Sequence, residues 1–359
     1  MKQGGTTGGI ASIAVSPVMA ALGAALLFGG STPFAKQVVG DVPPVLMAGL
    51  LFLGSGGGLL MAMLIRDRGW RNFGLPMKHW FWYLLTIGVG GVLAPVLLME
   101  GLARTGAAAA SLMLNTETVF TVLLAWFAFR ENAGRRVMLG MALIVTGGIA
   151  LAWPAGGAGW EGMAGALAIA AACLCWAIDN NLTRKVSEAD AMFVACGKGV
   201  AAGTINAALA VMSGAVIPGW PVIGSAMLIG FFGYGISLVL FVVALRELGT
   251  ARTGAYFATA PFIGAVLSII AFGDRVSGGF WMATALMGAG VWLHLTELHD
   301  HEHRHAPLEH THSHRHDLHH AHPHGQDWDG NEPHTHPHVH GEITHSHSHF
   351  PDIHHRHPH

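Results

Sequence analysis

The sequence predicts an all-α membrane protein with ten transmembrane helices, arranged as two inverted five-helix repeats and followed by a disordered C-terminal tail. Three observations lead to this fold class. Apolar runs of about 18 to 24 residues recur, each long enough to cross a hydrocarbon core of roughly 30 Å. Only 11% of the residues are charged, against roughly 25% in soluble domains. A long stretch of the first half recurs in the second half at a constant offset.

The apolar runs divide the chain into an N-terminal tail (1–16), two five-helix halves (17–153 and 162–296) and a histidine-rich tail (299–359). The ten predicted spans are 17–39, 43–65, 80–98, 106–129, 137–153, 162–182, 191–212, 221–245, 250–272 and 278–295.

The positive charges predict the orientation, because Lys and Arg concentrate in cytoplasmic loops. With the N-terminus inside, eleven of them fall in inside loops and three in outside connections. The opposite orientation reverses that ratio. We therefore expect an inner-membrane protein with both termini, and so the histidine tail, in the cytoplasm.

The internal repeat is visible in a comparison of residues 101–131 with residues 244–274. At an offset of 143 the matching pairs include Leu102 and Leu245, Gly106 and Gly249, Thr116 and Thr259, Phe129 and Phe272, and Glu131 and Asp274. An offset of 148 pairs "FGGSTPFAKQV" in the first span with "WAIDNNLTRKV" in the sixth. Because five is odd, the second copy enters the membrane inverted. Inverted repeats are typical of secondary transporters, whose site lies between the halves.

The glycine turn before the fourth and ninth spans, the apolar run and the closing acidic residue resemble the EamA family of the drug/metabolite transporter superfamily. The resemblance covers 17–295. It implies a ten-helix carrier, usually an exporter of metabolites or drugs, without an ATP-binding module, and the sequence has no GxxxxGK[ST] motif. The family often has a proline within both the fourth and ninth helices. Pro261 fits, but its counterpart is Thr118, so an interruption of the fourth helix is not assumed.

Glu117, eleven residues into the fourth span, is the clearest candidate for a transport residue. An ionisable group in the hydrocarbon costs at least ~2.5 kcal/mol and marks a functional site by default. We interpret Glu117, with Thr121 on the same helix face, as a site for substrate or a coupling ion. The alternative is a structural hydrogen bond to a neighbouring helix.

Asp179, with Asn180 beside it and Trp176 on its helix face, is the second candidate, in the sixth span. Trp176 and Tyr256 are interpreted as lining a cavity, with packing or an interfacial position as the alternative. Lys198 and Glu100 are weaker candidates.

The first span contributes the repeat-related polar residues Ser31, Thr32 and Lys36. Pro33 is expected to open the helix there, because proline removes a hydrogen-bond donor. Lys36 can instead extend to the membrane surface, where its ammonium group stays hydrated.

The tail holds 23 of the 25 histidines, with nine acidic and three basic side chains. Its low apolar content predicts disorder, and histidine-rich tracts predict metal binding. Imidazole suits Zn, Ni, Co and Cu, while a pH sensor or a solubilising tail is the alternative. The predicted metal ligands are His310, His312, His314, His316, His334, His336, His338, His340, His345, His347 and His349.

Together these features predict a transporter that requires no cofactor, with a small-molecule substrate and the lipid bilayer as its partners. The leading hypothesis is an exporter of a metabolite, drug or metal complex. A nickel, cobalt or zinc efflux carrier is the first alternative, and a membrane-tethered metal buffer or sensor is the second. Nothing in the sequence indicates an enzyme or a nucleic-acid binder, and homodimerisation is left open.

Overall fold

The computed structural model describes residues 16–40, 42–67, 76–129, 134–153, 159–183, 191–296, 299–305, 308–314, 334–340 and 343–349. The helices of the first half are α1 (Pro17–Val39), α2 (Pro44–Arg66), α3 (Trp80–Thr86), α4 (Ala94–Arg104), α5 (Ala107–Met113), α6 (Thr116–Phe129) and α7 (Arg135–Ala152). Those of the second half are α8 (Gly159–Thr183), α9 (Ala191–Met212), α10 (Trp220–Gly230), α11 (Ser237–Phe257), α12 (Ala260–Phe272) and α13 (Gly278–Leu295).

Nine helical runs in the described part of the chain are long and apolar enough to span a membrane. The remaining predicted span corresponds to α13, an 18-residue helix that packs along α7. Large apolar side chains such as Ile270 and Trp281 are exposed on the outer helix faces. Exposed apolar side chains of this kind suit contact with lipid.

Two predictions about helix continuity are wrong. Helix α1 continues through Pro33, since a neighbouring group can satisfy the carbonyl that a proline frees. Helix α11 also passes through 246–249, where we predicted a loop between the eighth and ninth spans. The short polar stretch there is compatible with helix, because Arg, Glu and Leu are good helix formers.

The fourth and ninth spans are both interrupted, at turns of repeat-related position. Leu114 and Asn115 separate α5 from α6, and Ala258 and Thr259 separate α11 from α12. Pro261 lies in the first turn of α12, a position where proline is tolerated. The fourth span breaks without proline, because the Asn115 side chain donates to the Leu112 carbonyl (2.9 Å) and such bonds compete with the helix.

The third and eighth spans each contain a π-helical segment, Ile87–Leu93 between α3 and α4 and Phe231–Ile236 between α10 and α11. Such segments are rare and frequent at functional sites. Their occurrence at matching places follows the repeat.

The two halves pack on each other through matching helices: α2 on α9, α5 on α12, and α7 on α13. Gly56 of α2 and Gly199 of α9 meet backbone to backbone, so a Cβ at either would overlap the other helix. Small residues allow this close approach in membranes.

The described parts of the tail form two antiparallel ribbons. Strand β1 (His299–His305) pairs with β4 (Ile343–His349), and β2 (Leu308–His314) with β3 (His334–His340). The prediction of a disordered tail is wrong for these four segments. Low apolar content does not prevent strand pairing, because its hydrogen bonds join backbone groups and the histidines alternate at the period of a strand.

We expect Gly56→Ala to destabilise the α2–α9 contact, because the added methyl group would overlap the backbone of Val200. The expected loss is roughly 1–3 kcal/mol, measured as a lower midpoint of thermal or SDS-induced unfolding. Gly57→Ala is the matched control, since a Cβ there meets nothing within 4 Å. Equal effects of the two substitutions would contradict the observed packing.

Candidate functional site

An ion pair inside the membrane-spanning region joins α8 to α9. The Lys198 ammonium group donates to Asp179 Oδ2. The Asp179 side chain is 8% exposed, and its other oxygen, Oδ1, is buried without a hydrogen-bond partner among the described residues. A buried carboxylate with one unpaired oxygen is an acceptor available to a ligand.

Glu117 joins this group through Asn180, which follows Asp179 on α8. Asn180 Nδ2 donates to Glu117 Oε1 over 2.8 Å, and the charges of Asp179 and Lys198 act on Glu117. The interruption before α6 places Glu117 in the first turn of that helix. The positive end of the helix dipole stabilises a carboxylate there.

The π segment Ile87–Leu93 forms the wall behind the ion pair. Gly90 lies so close to Asp179 that a Cβ would overlap the carboxylate, and the Trp176 indole donates to the Gly90 carbonyl (3.3 Å). The stem of Lys198 runs past Gly91. We define the charged cluster as Glu117, Asp179, Asn180 and Lys198.

The structure thus brings together Glu117, Asn180 and Asp179. Trp176 is hydrogen-bonded to the π segment that lies behind the ion pair. Thr121 lies one turn after Glu117 on α6 and is partly buried.

The other predicted site residues make their contacts elsewhere. Ser31 and Thr32 are buried in α1, and Ser31 Oγ donates to the Phe28 carbonyl (2.6 Å). Lys36 Nζ donates to the carbonyls of Leu102 and Ala103 (2.5 and 3.2 Å). These contacts cap the end of α4, a structural role typical of lysine.

Tyr256 packs in an apolar cluster with Ala20, Ala21 and Ala244.

The sequence analysis missed two buried polar residues near the cluster and ranked Lys198 too low. Asn206 is fully buried and donates to the Val92 carbonyl (3.2 Å), and Tyr83 donates to the Val194 carbonyl (3.0 Å). Lys198, Ala202 and Asn206 are spaced by four, which places them in one row along α9. The available signal was that two polar residues, Lys198 and Asn206, share one face of an otherwise apolar helix.

No group of three metal-ligating side chains occurs among the residues whose side chains the structure describes. Ten of the eleven predicted tail ligands lie in strands β2, β3 and β4, and His316 lies outside the described residues.

Comparison with known proteins identifies the family. A model of the EamA-like transporter family matches residues 15–153 and again residues 163–296. The chain belongs to the EamA-like transporter family. It is therefore a multi-pass membrane protein and a transporter rather than an enzyme.

Individual relatives agree with this assignment. An uncharacterized transporter of Methanothermobacter thermautotrophicus is 25% identical over 293 residues, which are 75% of this chain and 83% of the relative. A protein of known crystal structure superposes with a TM-score of 0.57 over 77% of this chain and 95% of that chain, at 23% identity. The structural likeness supports the fold alone.

Gly90→Ala should displace the Asp179 carboxylate, because the added methyl group would occupy its place. We expect a loss of roughly 1–3 kcal/mol, measured by thermal unfolding in detergent. Gly88→Ala, in the same π segment, is the control because a Cβ there meets nothing within 4 Å. If Gly90→Ala proves as stable as Gly88→Ala, the carboxylate does not pack on Gly90.

Proposed function

We propose that this EamA-like transporter exports a small organic metabolite, drug or metal complex by alternating access, and that the charged cluster binds the cargo or the coupling ion. The observation that carries the proposal is the Asp179–Lys198 ion pair, with Glu117 beside it. Charges inside a membrane protein are costly and mark substrate and ion pathways.

The arrangement of the two halves supports alternating access. The family match occurs twice, and the interrupted helices and π segments recur at matching positions in both copies. Rocking of one inverted half against the other would expose the site to each side in turn. The excess of Lys and Arg in loops on one side supports cytoplasmic termini in the inner membrane.

The tail is proposed to bind divalent metal and to regulate transport. The strand register sets six pairs of histidine positions directly opposite each other, where Cβ atoms lie about 4.5–5.5 Å apart. The pairs are 299 and 349, 301 and 347, 303 and 345, 310 and 338, 312 and 336, and 314 and 334. Two-stranded ribbons are marginally stable alone, so a shared Zn, Ni, Co or Cu ion would also stabilise the pairing.

Metal efflux is the second candidate function, and the register of the tail is what favours it. The helices count against it, because their described side chains contain no three-ligand group. A complexed or organic cargo suits the charged cluster better.

Glu117→Ala should abolish export while the protein still inserts in the membrane, because the cluster loses a carboxylate. The measurement is the cellular content of nickel, cobalt, zinc and copper, and of candidate organic cargo, in cells that make each variant. Glu100→Gln is the control, since that carboxylate pairs with Arg104 at the end of α4. Wild-type export by Glu117→Ala would sink the assignment of Glu117.

Deletion of residues 299–359 should leave the unfolding midpoint of the helical unit unchanged and remove most bound metal. Bound nickel or zinc per chain is measured by elemental analysis after equilibration of purified protein. The full-length Glu117→Ala variant is the control and should keep its metal. Unchanged stoichiometry in the truncated protein would place the metal outside the tail.

A further inference from the structure

The internal repeat contains a neutral counterpart of the ion pair. At the offset of 148, Asp179 corresponds to Ser31. Each packs against a glycine of a π segment, Asp179 against Gly90 and Ser31 against Gly233, so closely that a Cβ on either glycine would overlap it. The two glycines are themselves related by the offset of 143.

Lys198 has a neutral counterpart too. At the offset of 143 it corresponds to Ser55, which is buried. The residues that follow them, Gly56 and Gly199, contact each other where α2 crosses α9. One half of the protein therefore has buried serines at the two positions that carry the ion pair in the other half, and we expect the fold to tolerate neutral side chains at the charged positions too. Exchanging a buried ion pair for neutral residues is often neutral or stabilising.

The charge and hydrogen bonding of the cluster define the ligand that it suits. When Glu117 is ionised, the described cluster has two carboxylates and one ammonium group, and so an excess of one negative charge. Lys198 donates to Asp179 Oδ2, and the buried Oδ1 has no donor among the described residues. A ligand that carries positive charge would balance the excess negative charge, and its N–H donors would supply the hydrogen bond that Asp179 Oδ1 lacks.

We propose that the charged cluster is a binding site for the ammonium or guanidinium group of an organic cation, with Asp179 Oδ1 as its acceptor. This inference rests on the proposed transport function and names the class of its cargo. The pair Asp179–Lys198 then belongs to the binding site and not to the structural core.

The test measures binding to the purified full-length protein in detergent. The probes are phenethylamine and agmatine, with 3-phenylpropionate as a carboxylate of similar shape and sodium chloride as the salt control. The readout is the concentration dependence of the thermal unfolding midpoint. We expect both amines to raise the midpoint of the wild-type protein saturably, and the carboxylate and the salt to leave it unchanged.

The matched variant is the double substitution Asp179→Ser and Lys198→Ser, which copies the serines of the other half. It should fold with a midpoint close to that of the wild-type protein. Its half-saturating amine concentration should rise at least about 30-fold, as expected for loss of a buried charge partner.

Four results would overturn the inference: no amine response in the wild-type protein, an equal response to 3-phenylpropionate, an undiminished amine response in the double variant, or failure of that variant to fold. Export that depends on Glu117 but occurs without amine binding would retain the proposed transport function and refute only this cargo class.

Discussion

The absence of water from the hydrocarbon core is the constraint on which the rest of this structure depends. Every backbone polar group must find a partner inside the protein, so the described spans are helical. In the first π segment, side chains of neighbouring helices bond the backbone carbonyls. Trp176 and Asn206 donate to Gly90 and Val92 of the first π segment. The π segment and the polar residues of α8 and α9 therefore depend on each other, because the side chains supply the hydrogen bonds of the irregular backbone.

The same constraint explains why the charged residues occur as a connected group. An isolated carboxylate at this position would be strongly unfavourable. Asp179 is paired with Lys198, and Glu117 has both Asn180 and the start of α6. Asp179 Oδ1 is one of several buried oxygens without a hydrogen-bond partner among the described residues. It is the one that belongs to the ion pair, and the proposed transport function gives a reason for it.

The two halves share a scaffold but differ in polarity. Both have a π segment in the third predicted span and an interruption in the fourth. Serines in one half, however, occupy the positions of the ion pair in the other. The framework occurs twice in the chain, as the two matches to the family model show, whereas the ion pair occurs in one half only among the described residues. The tail is a separate compact unit, whose strands depend on backbone pairing instead of an apolar core.

The sequence by itself determined the number and bounds of most spans, the repeat, the family resemblance and the candidate residues Glu117 and Asp179, because length, apolarity and isolated charges are local properties. It did not predict the break at Asn115, which depends on one side-chain hydrogen bond, nor the continuity of α1 through Pro33 and of α11 through 246–249. Only the tertiary structure decided which polar residues meet. Lys198 lies 19 residues from Asp179 on another helix, and Lys36 caps α4 from 66 residues away. Such pairings depend on how the helices cross, and the glycine contacts set that crossing.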